Sequence, residues 1–191
     1  MPPSKLASRA LRYVFLDRDG VLNRKPPEGR YIQGWQDFEL LPRVPEAIAR
    51  LNRADLKIIV VTNQRGIALG HSTDDDVKAL HEKLRQTLQA QSAHIDAILY
   101  CPHDEGTCDC RKPKPGLFRR AFQQFPDARP ENSVMIGDSI SDIEGARAIG
   151  MSTIFVRGDV QTRKPGAEKA EAMADAAANS LPEAVSLLLE T

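Results

Sequence analysis

Apolar residues along the chain fall into short runs, most of which end in a polar cluster. Arg12 to Leu16 is β-prone and stops at Asp17-Arg18-Asp19-Gly20, which predicts a buried strand with charge at its carboxyl end. Leu56 to Val61 repeats the pattern and runs into Thr62-Asn63-Gln64-Arg65-Gly66. Ile95 to Tyr100, Ser133 to Ile136 and Thr153 to Val156 read as three further strands. Between them the apolar spacing becomes helical. Pro45 opens a helix to about Arg53, with Ile48 and Leu51 on one face. Thr73 caps a long helix whose Val77, Leu80, Leu84 and Leu88 form one stripe, with Asp74, Asp75 and Asp76 in its positive first turn. Gly116 to Phe125, Ile140 to Ile149 and Leu181 to Leu189 complete the helices. Asn23 to Leu41, rich in Pro, Gly and aromatic residues, is expected to be an irregular loop or small β-flap. Gln161 to Ala178 reads as a solvated loop with a short surface helix.

Strands that alternate with helices across long connections predict a three-layer α/β/α, Rossmann-like fold with a mainly parallel sheet. Ligands of such sheets sit at the carboxyl ends of the strands. The 191 residues suit one domain, 1–191, with 1–11 as a flexible lead-in. The segment from Asp17 to Thr62 has room for a flap and one helix, and that from Thr62 to Lys112 for a helix, a strand and a loop. No large cap domain fits, so selectivity is expected from the loops.

Charge narrows the partners. The 26 basic and 26 acidic side chains balance, without the basic excess of a nucleic-acid binder. The longest apolar run is far short of the roughly 20 residues of a membrane span, and Met1 to Arg12 lacks a signal-peptide core. A cytoplasmic protein acting on a small molecule is expected. The last helix, read as polar, offers no dimer seam, so a monomer is expected.

The chemistry gathers at the strand ends. Asp17 and Asp19, two apart after the first strand, can face one crevice, and Asp138 follows the fourth strand, with Asp142 a turn later. Singly, such aspartates are commonly turn formers or helix caps. Together they make an oxygen-only ligand set for a hard cation, which points to magnesium. A cation there lets an anionic carboxylate approach a phosphate. Asp17 is read as the nucleophile, forming an aspartyl phosphate, and Asp19 as the acid/base that protonates the leaving oxygen and then activates water. The Thr62 hydroxyl and Lys112 supply donors to the phosphoryl oxygens.

The three cysteines lie within ten residues, and Cys101, His103, Cys108 and Cys110 form C-x-H-x4-C-x-C. Three thiolates and an imidazole complete a zinc tetrahedron with no open position, so a structural zinc is expected. That zinc loop leads directly into Arg111 and Lys112, and pinning it would aim both cations at the phosphate.

These residues resemble the haloacid-dehalogenase superfamily at four motifs: Asp17-Arg18-Asp19-Gly20-Val21-Leu22-Asn23, Val61-Thr62-Asn63-Gln64, Lys112-Pro113, and Gly137-Asp138-Ser139 with Asp142. Within it, the cysteine loop followed by Arg111-Lys112-Pro113 resembles the heptose-bisphosphate 7-phosphatases and the related histidinol-phosphatases. The resemblance implies a magnesium-dependent sugar-bisphosphate phosphatase of nucleotide-activated heptose synthesis, which feeds lipopolysaccharide or surface glycans. Asp17, Asp19 through its backbone carbonyl, and Asp138 would hold magnesium, while Thr62 and Lys112 would hold the phosphoryl group. Arg111 would recognise the substrate, with Asn63, Gln64, Arg65 and the flap around Tyr31. Arg65 and Ser139 depart from residues common in the family and bear on the sugar anomer. Arg65 and Arg111 favour a substrate with a second anionic group over cationic histidinol phosphate. A non-enzyme alternative, a phosphate-binding regulator, is disfavoured by the retention of both Asp17 and Asp19.

Overall fold

A computed structural model describes residues 10–163 and 165–190. Most of the expected lead-in, 1–9 of 1–11, lies outside the described residues. The elements run β1 (Tyr13–Leu16), α1 (Val44–Arg53), β2 (Lys57–Asn63), α2 (Asp74–Gln89), β3 (Ala97–Cys101), α3 (Gly116–Gln124), β4 (Ser133–Gly137), α4 (Ile140–Ala148), β5 (Ser152–Val156), α5 (Ala167–Met173), β6 (Ala176–Ala178) and α6 (Leu181–Leu189). The six strands pair in parallel in the order β3-β2-β1-β4-β5-β6. This is a Rossmann-like doubly wound sheet whose order reverses between β1 and β4, the place where such sheets open a crevice.

Side chains alternate across the strands, which gives the sheet a core on each face. Val14 and Leu16 of β1 pack with Ile48 and Leu51 of α1, Leu84 and Leu88 of α2, and Leu181 and Val185 of α6. Phe15 points the other way, into Leu117 and Phe118 of α3, with ring centroids of Phe15 and Phe118 5.8 Å apart. Each such buried side chain contributes roughly 1.5–3 kcal/mol by leaving water. The α2 start is a full capping box: the Thr73 hydroxyl accepts from Asp76 N–H, and the Asp76 carboxylate accepts from Thr73 N–H.

Three expectations change. β2 continues through Thr62 and Asn63, because its ladder with β3 still pairs Thr62 with Tyr100 and Asn63 with Cys101. The Gln161 to Ala178 segment holds a sixth strand, since Ala176 to Ala178 find partners in Ile154 to Val156. Alanine is a poor β-former, so a short edge strand made of it leaves little pattern. The last helix is not polar: Leu181, Ala184 and Val185 are buried, and Ser186 Oγ accepts from Arg50 Nη1 of α1 at 2.9 Å. Between β1 and β2 the described elements are one 3-10 turn and α1, so no cap domain is inserted there. No helix among the described residues is long and apolar enough to cross a membrane.

Candidate active site

β1 and β4 run in register, Leu16 beside Ile136, so the residues that follow them meet at the switch point. Asp17 N–H donates to Ile136 O at 3.0 Å, and the Asp138 carboxylate lies against Gly20. Gly20 has φ +97°, and a Cβ there would overlap that carboxylate, so glycine is required for both reasons. Asp142, in the first turn of α4, accepts from Ser139 N–H at 3.1 Å and from Ser139 Oγ at 2.5 Å. Its other oxygen, Oδ1, accepts from Lys112 Nζ.

One carboxylate oxygen each from Asp17, Asp138 and Asp142 lie within 4.8 Å of one another. Three carboxylates this close and this buried repel unless cations join them. Lys112 is one such cation: its Nζ donates to Asp17 Oδ1 at 2.9 Å, Asp142 Oδ1 at 2.5 Å and Val61 O at 2.6 Å. Lys25, from the flap, is the other, 2.5 Å from Asp138 Oδ2. Asp138 Oδ1 remains buried without a partner. A bare carboxylate oxygen in a cluster with surplus negative charge fits a hard divalent cation.

The acidities follow the burial. Burial and the neighbouring Asp142 raise the Asp17 pKa above the usual carboxylate range, against the pull of Lys112. Burial pushes Asp138 up to about 7, with Lys25 opposing and Asp17 and Asp142 adding. Burial raises Asp19 too, but the Arg18 guanidinium and bonds from Asn23 and Gln64 outweigh it and hold Asp19 low.

The Asp19 carboxylate stands apart from the other three. Arg18 Nη2 donates to both its oxygens at 3.0 Å, Asn23 Nδ2 to Oδ1 at 2.9 Å, and Gln64 Nε2 to Oδ2 at 3.1 Å. Arg18 is 1% exposed and hydrogen-bonds His81 Nε2 of α2 through Nη1 at 3.1 Å. Burial and Arg18 depress His81 to about 3, so the imidazole is neutral and accepts.

The structure brings Asp17, Asp19, Thr62, Asn63, Lys112, Ser139, Ser141 and Asp142 around one cleft of about 30 Å³. Within it the expected substrate contacts are partly engaged by the protein. Asn63 clamps the Lys112 backbone from both sides, accepting its N–H and donating to its C=O at 3.0 Å. Gln64 is buried and also donates to Thr62 Oγ1 at 2.9 Å. Tyr31 does not line this cleft and stacks on His71 with ring centroids 4.6 Å apart. Arg65 and Arg111 turn toward Asp104 and Glu105 of the cysteine loop.

Cys101, His103, Cys108 and Cys110 offer ligand atoms all within 4.8 Å of one another, as the spacing predicts. His103 Nδ1 lies 3.2 Å from Cys110 Sγ, and Cys101 Sγ lies 3.5 Å from Cys108 Sγ. Burial raises Cys108, yet N–H and thiol donors override it and bring it down to about 6, whereas burial and its thiol neighbours push Cys110 up to about 12. Soft donors converging in this way fit a tetrahedral zinc ion.

Sequence reasoning passed over Arg18, Lys25, His81, Asp104 and Glu105. Arg18 lies inside the acidic motif and could have been noticed. Lys25 and His81 carry no local signal, because their partners are far along the chain.

A family model described as HAD-hydrolase-like matches residues 109–184. A D-glycero-alpha-D-manno-heptose-1,7-bisphosphate 7-phosphatase of Mycobacterium tuberculosis is 37% identical over 89% of this chain and 87% of its own. A D-glycero-beta-D-manno-heptose-1,7-bisphosphate 7-phosphatase of Vibrio cholerae is 36% identical over 92% of this chain and 95% of its own. Among solved structures, D,D-heptose 1,7-bisphosphate phosphatase from B. bronchiseptica, complexed with magnesium and phosphate, superposes with TM-score 0.82. It is 28% identical, and the match covers 94% of this chain and 99% of that one.

Proposed function

Because the chain belongs to the haloacid-dehalogenase-like hydrolases, in the branch of the heptose-bisphosphate 7-phosphatases, we propose that it removes the C7 phosphate of D-glycero-D-manno-heptose 1,7-bisphosphate. It is a phosphoric monoester hydrolase. The observation that carries the substrate is the near-full-length identity of 34–37% to phosphatases acting on that sugar. Its place is nucleotide-activated heptose synthesis in the cytoplasm, and we read 1–191 as one domain working as a monomer.

In this reading an Asp17 oxygen attacks the C7 phosphorus, and the bond from phosphorus to the sugar oxygen breaks. Lys112 and the Thr62 hydroxyl hold the phosphoryl oxygens. Lys112 leaves Asp17 a partner on each side of the reaction, the carboxylate before attack and the ester afterwards. Asp19 gives its proton to the departing sugar oxygen. Its present donors favour the carboxylate, and the charge of an arriving phosphate raises its pKa so that it can carry that proton. Asp19, once ionised, takes a proton from water, which opens the aspartyl phosphate and releases inorganic phosphate. Asp17, Asp138 and the Asp19 carbonyl would hold magnesium, with Asp142 facing the same cluster; when bound, the ion neutralises phosphoryl charge. Zinc on Cys101, His103, Cys108 and Cys110 would fix the loop that delivers Lys112.

The test is magnesium-dependent phosphate release from a panel holding both anomers of the heptose bisphosphate, since relatives of both kinds are nearly equally similar, and histidinol phosphate. A higher kcat/KM for one heptose anomer supports the reading. A preference for histidinol phosphate overturns it.

A further inference from the structure

Arg65 follows β2 and Arg111 follows the cysteine loop, yet both reach the same oxygen. Arg111 Nη2 lies 3.2 Å and Arg65 Nη1 3.6 Å from Glu105 Oε1. Arg65 Nε is also 2.5 Å from Asp104 Oδ1, which accepts the Glu105 N–H at 2.6 Å. Arg111 Nη1 is buried and without a partner. Two guanidiniums on one carboxylate oxygen, with a buried donor left over, offer more N–H groups than that carboxylate satisfies. Planar guanidinium forks of this kind match the several oxygens of a phosphate.

Glu105 is also poorly anchored. Its side chain is 65% exposed, and exposed ion pairs contribute little to folding, so releasing it costs little. At its base the loop converges on Cys101, His103, Cys108 and Cys110, which would pin it through zinc. Glu105 can therefore swing aside while Arg111 keeps its place. A substrate with an anionic far end would take over the donors; one with a neutral far end would leave the carboxylate where it is.

We propose that Glu105 is a specificity-determining residue: its carboxylate occupies the Arg65–Arg111 fork as an internal stand-in that the second anionic group of a bis-anionic substrate displaces. This rests on the sugar-bisphosphate reading above and adds the residue that competes with the substrate for the two guanidiniums. Asp104 holds Arg65 in position through Nε.

The experiment compares wild type with Glu105→Gln and Glu105→Ala on heptose 1,7-bisphosphate and on p-nitrophenyl phosphate, which has no second anion. Both variants are expected to lower the ratio of the bisphosphate KM to the p-nitrophenyl phosphate KM by about 2- to 5-fold, with the shift in KM rather than kcat. Zinc content equal to wild type identifies an intact loop. A ratio that is unchanged or raised overturns the proposal. If wild type does not turn over heptose bisphosphate, the substrate reading fails by itself. Glu105 is then read by inhibition of p-nitrophenyl phosphate hydrolysis: Glu105→Gln must favour glucose 1,6-bisphosphate over glucose 6-phosphate more than wild type does, and an equal preference overturns the proposal.

Discussion

Lys112 Nζ sits 2.9 Å from Asp17 Oδ1, joining residues 95 positions apart. The lysine is 1% exposed and also meets Asp142, so a single ammonium holds two buried carboxylates. Its pKa is raised by those carboxylates against the opposing effect of burial, so it stays charged throughout the working pH range. The contact ties the loop after the cysteine cluster to the end of β1, linking the two candidate metal sites through one side chain.

Lys112→Met removes that charge while keeping most of the volume. Breaking a buried ion pair by removing one partner costs on the order of 3–5 kcal/mol. The variant is expected to unfold at lower denaturant and to lose phosphatase activity. Chemical unfolding measures the first effect, and a midpoint equal to wild type would contradict the role given to this contact.

Asp17→Asn keeps the side-chain shape and removes the nucleophilic charge. Magnesium-dependent phosphate release should drop by at least about 10³-fold, with circular dichroism unchanged. Persistent release at the wild-type rate would transfer the nucleophile to another residue.

Magnesium affinity should depend on pH through Asp138. Its carboxyl, pushed up to about 7, keeps a proton that an unfolded chain loses near its ordinary value of about 3.9. On this account the metal-free protein loses stability as pH rises from about 4 to about 7 and changes little above that. Metal binding runs in the opposite direction, because the proton must leave: affinity should fall below pH 7, by up to about tenfold per unit. Asp17, also raised, adds in the same sense. Titration calorimetry at pH 6 and pH 8 checks this, and equal affinities would refute it.

Zinc removal should loosen the segment from Cys101 to Cys110 and, through it, Lys112. Protein purified without added zinc is expected to hold about one equivalent, as a four-ligand site implies. Cys110→Ser should lower the metal content and raise hydrogen exchange in this loop ahead of the sheet. Wild-type exchange in a zinc-free sample would remove the structural role.

His81→Leu leaves the Arg18 Nη1 group buried without its acceptor, at a cost of about 1–3 kcal/mol. His81→Gln, which keeps an acceptor, should recover part of it. Thermal melts of the pair give the comparison; equal losses would mean that packing, not the hydrogen bond, matters there.

The chain's own pattern determined the alternation of strands and helices, the parallel sheet and the positions of Asp17, Thr62, Lys112 and Asp138. Asp17, Thr62 and Asp138 each fall where an apolar run ends, and Lys112 follows directly on the cysteine loop, so that ordering is local. The cysteine spacing was equally legible, since all four donors lie within one loop. The short alanine strand was hidden, because it owes its existence to a free edge on β5 rather than to its own propensity. What only the tertiary structure decided is the pairing of distant charges: Lys25 with Asp138, Arg18 with His81, and Arg65 with Asp104 and Glu105. Such pairs depend on distance and burial in three dimensions, and Coulomb interactions between groups brought together by folding leave no periodic trace along a chain.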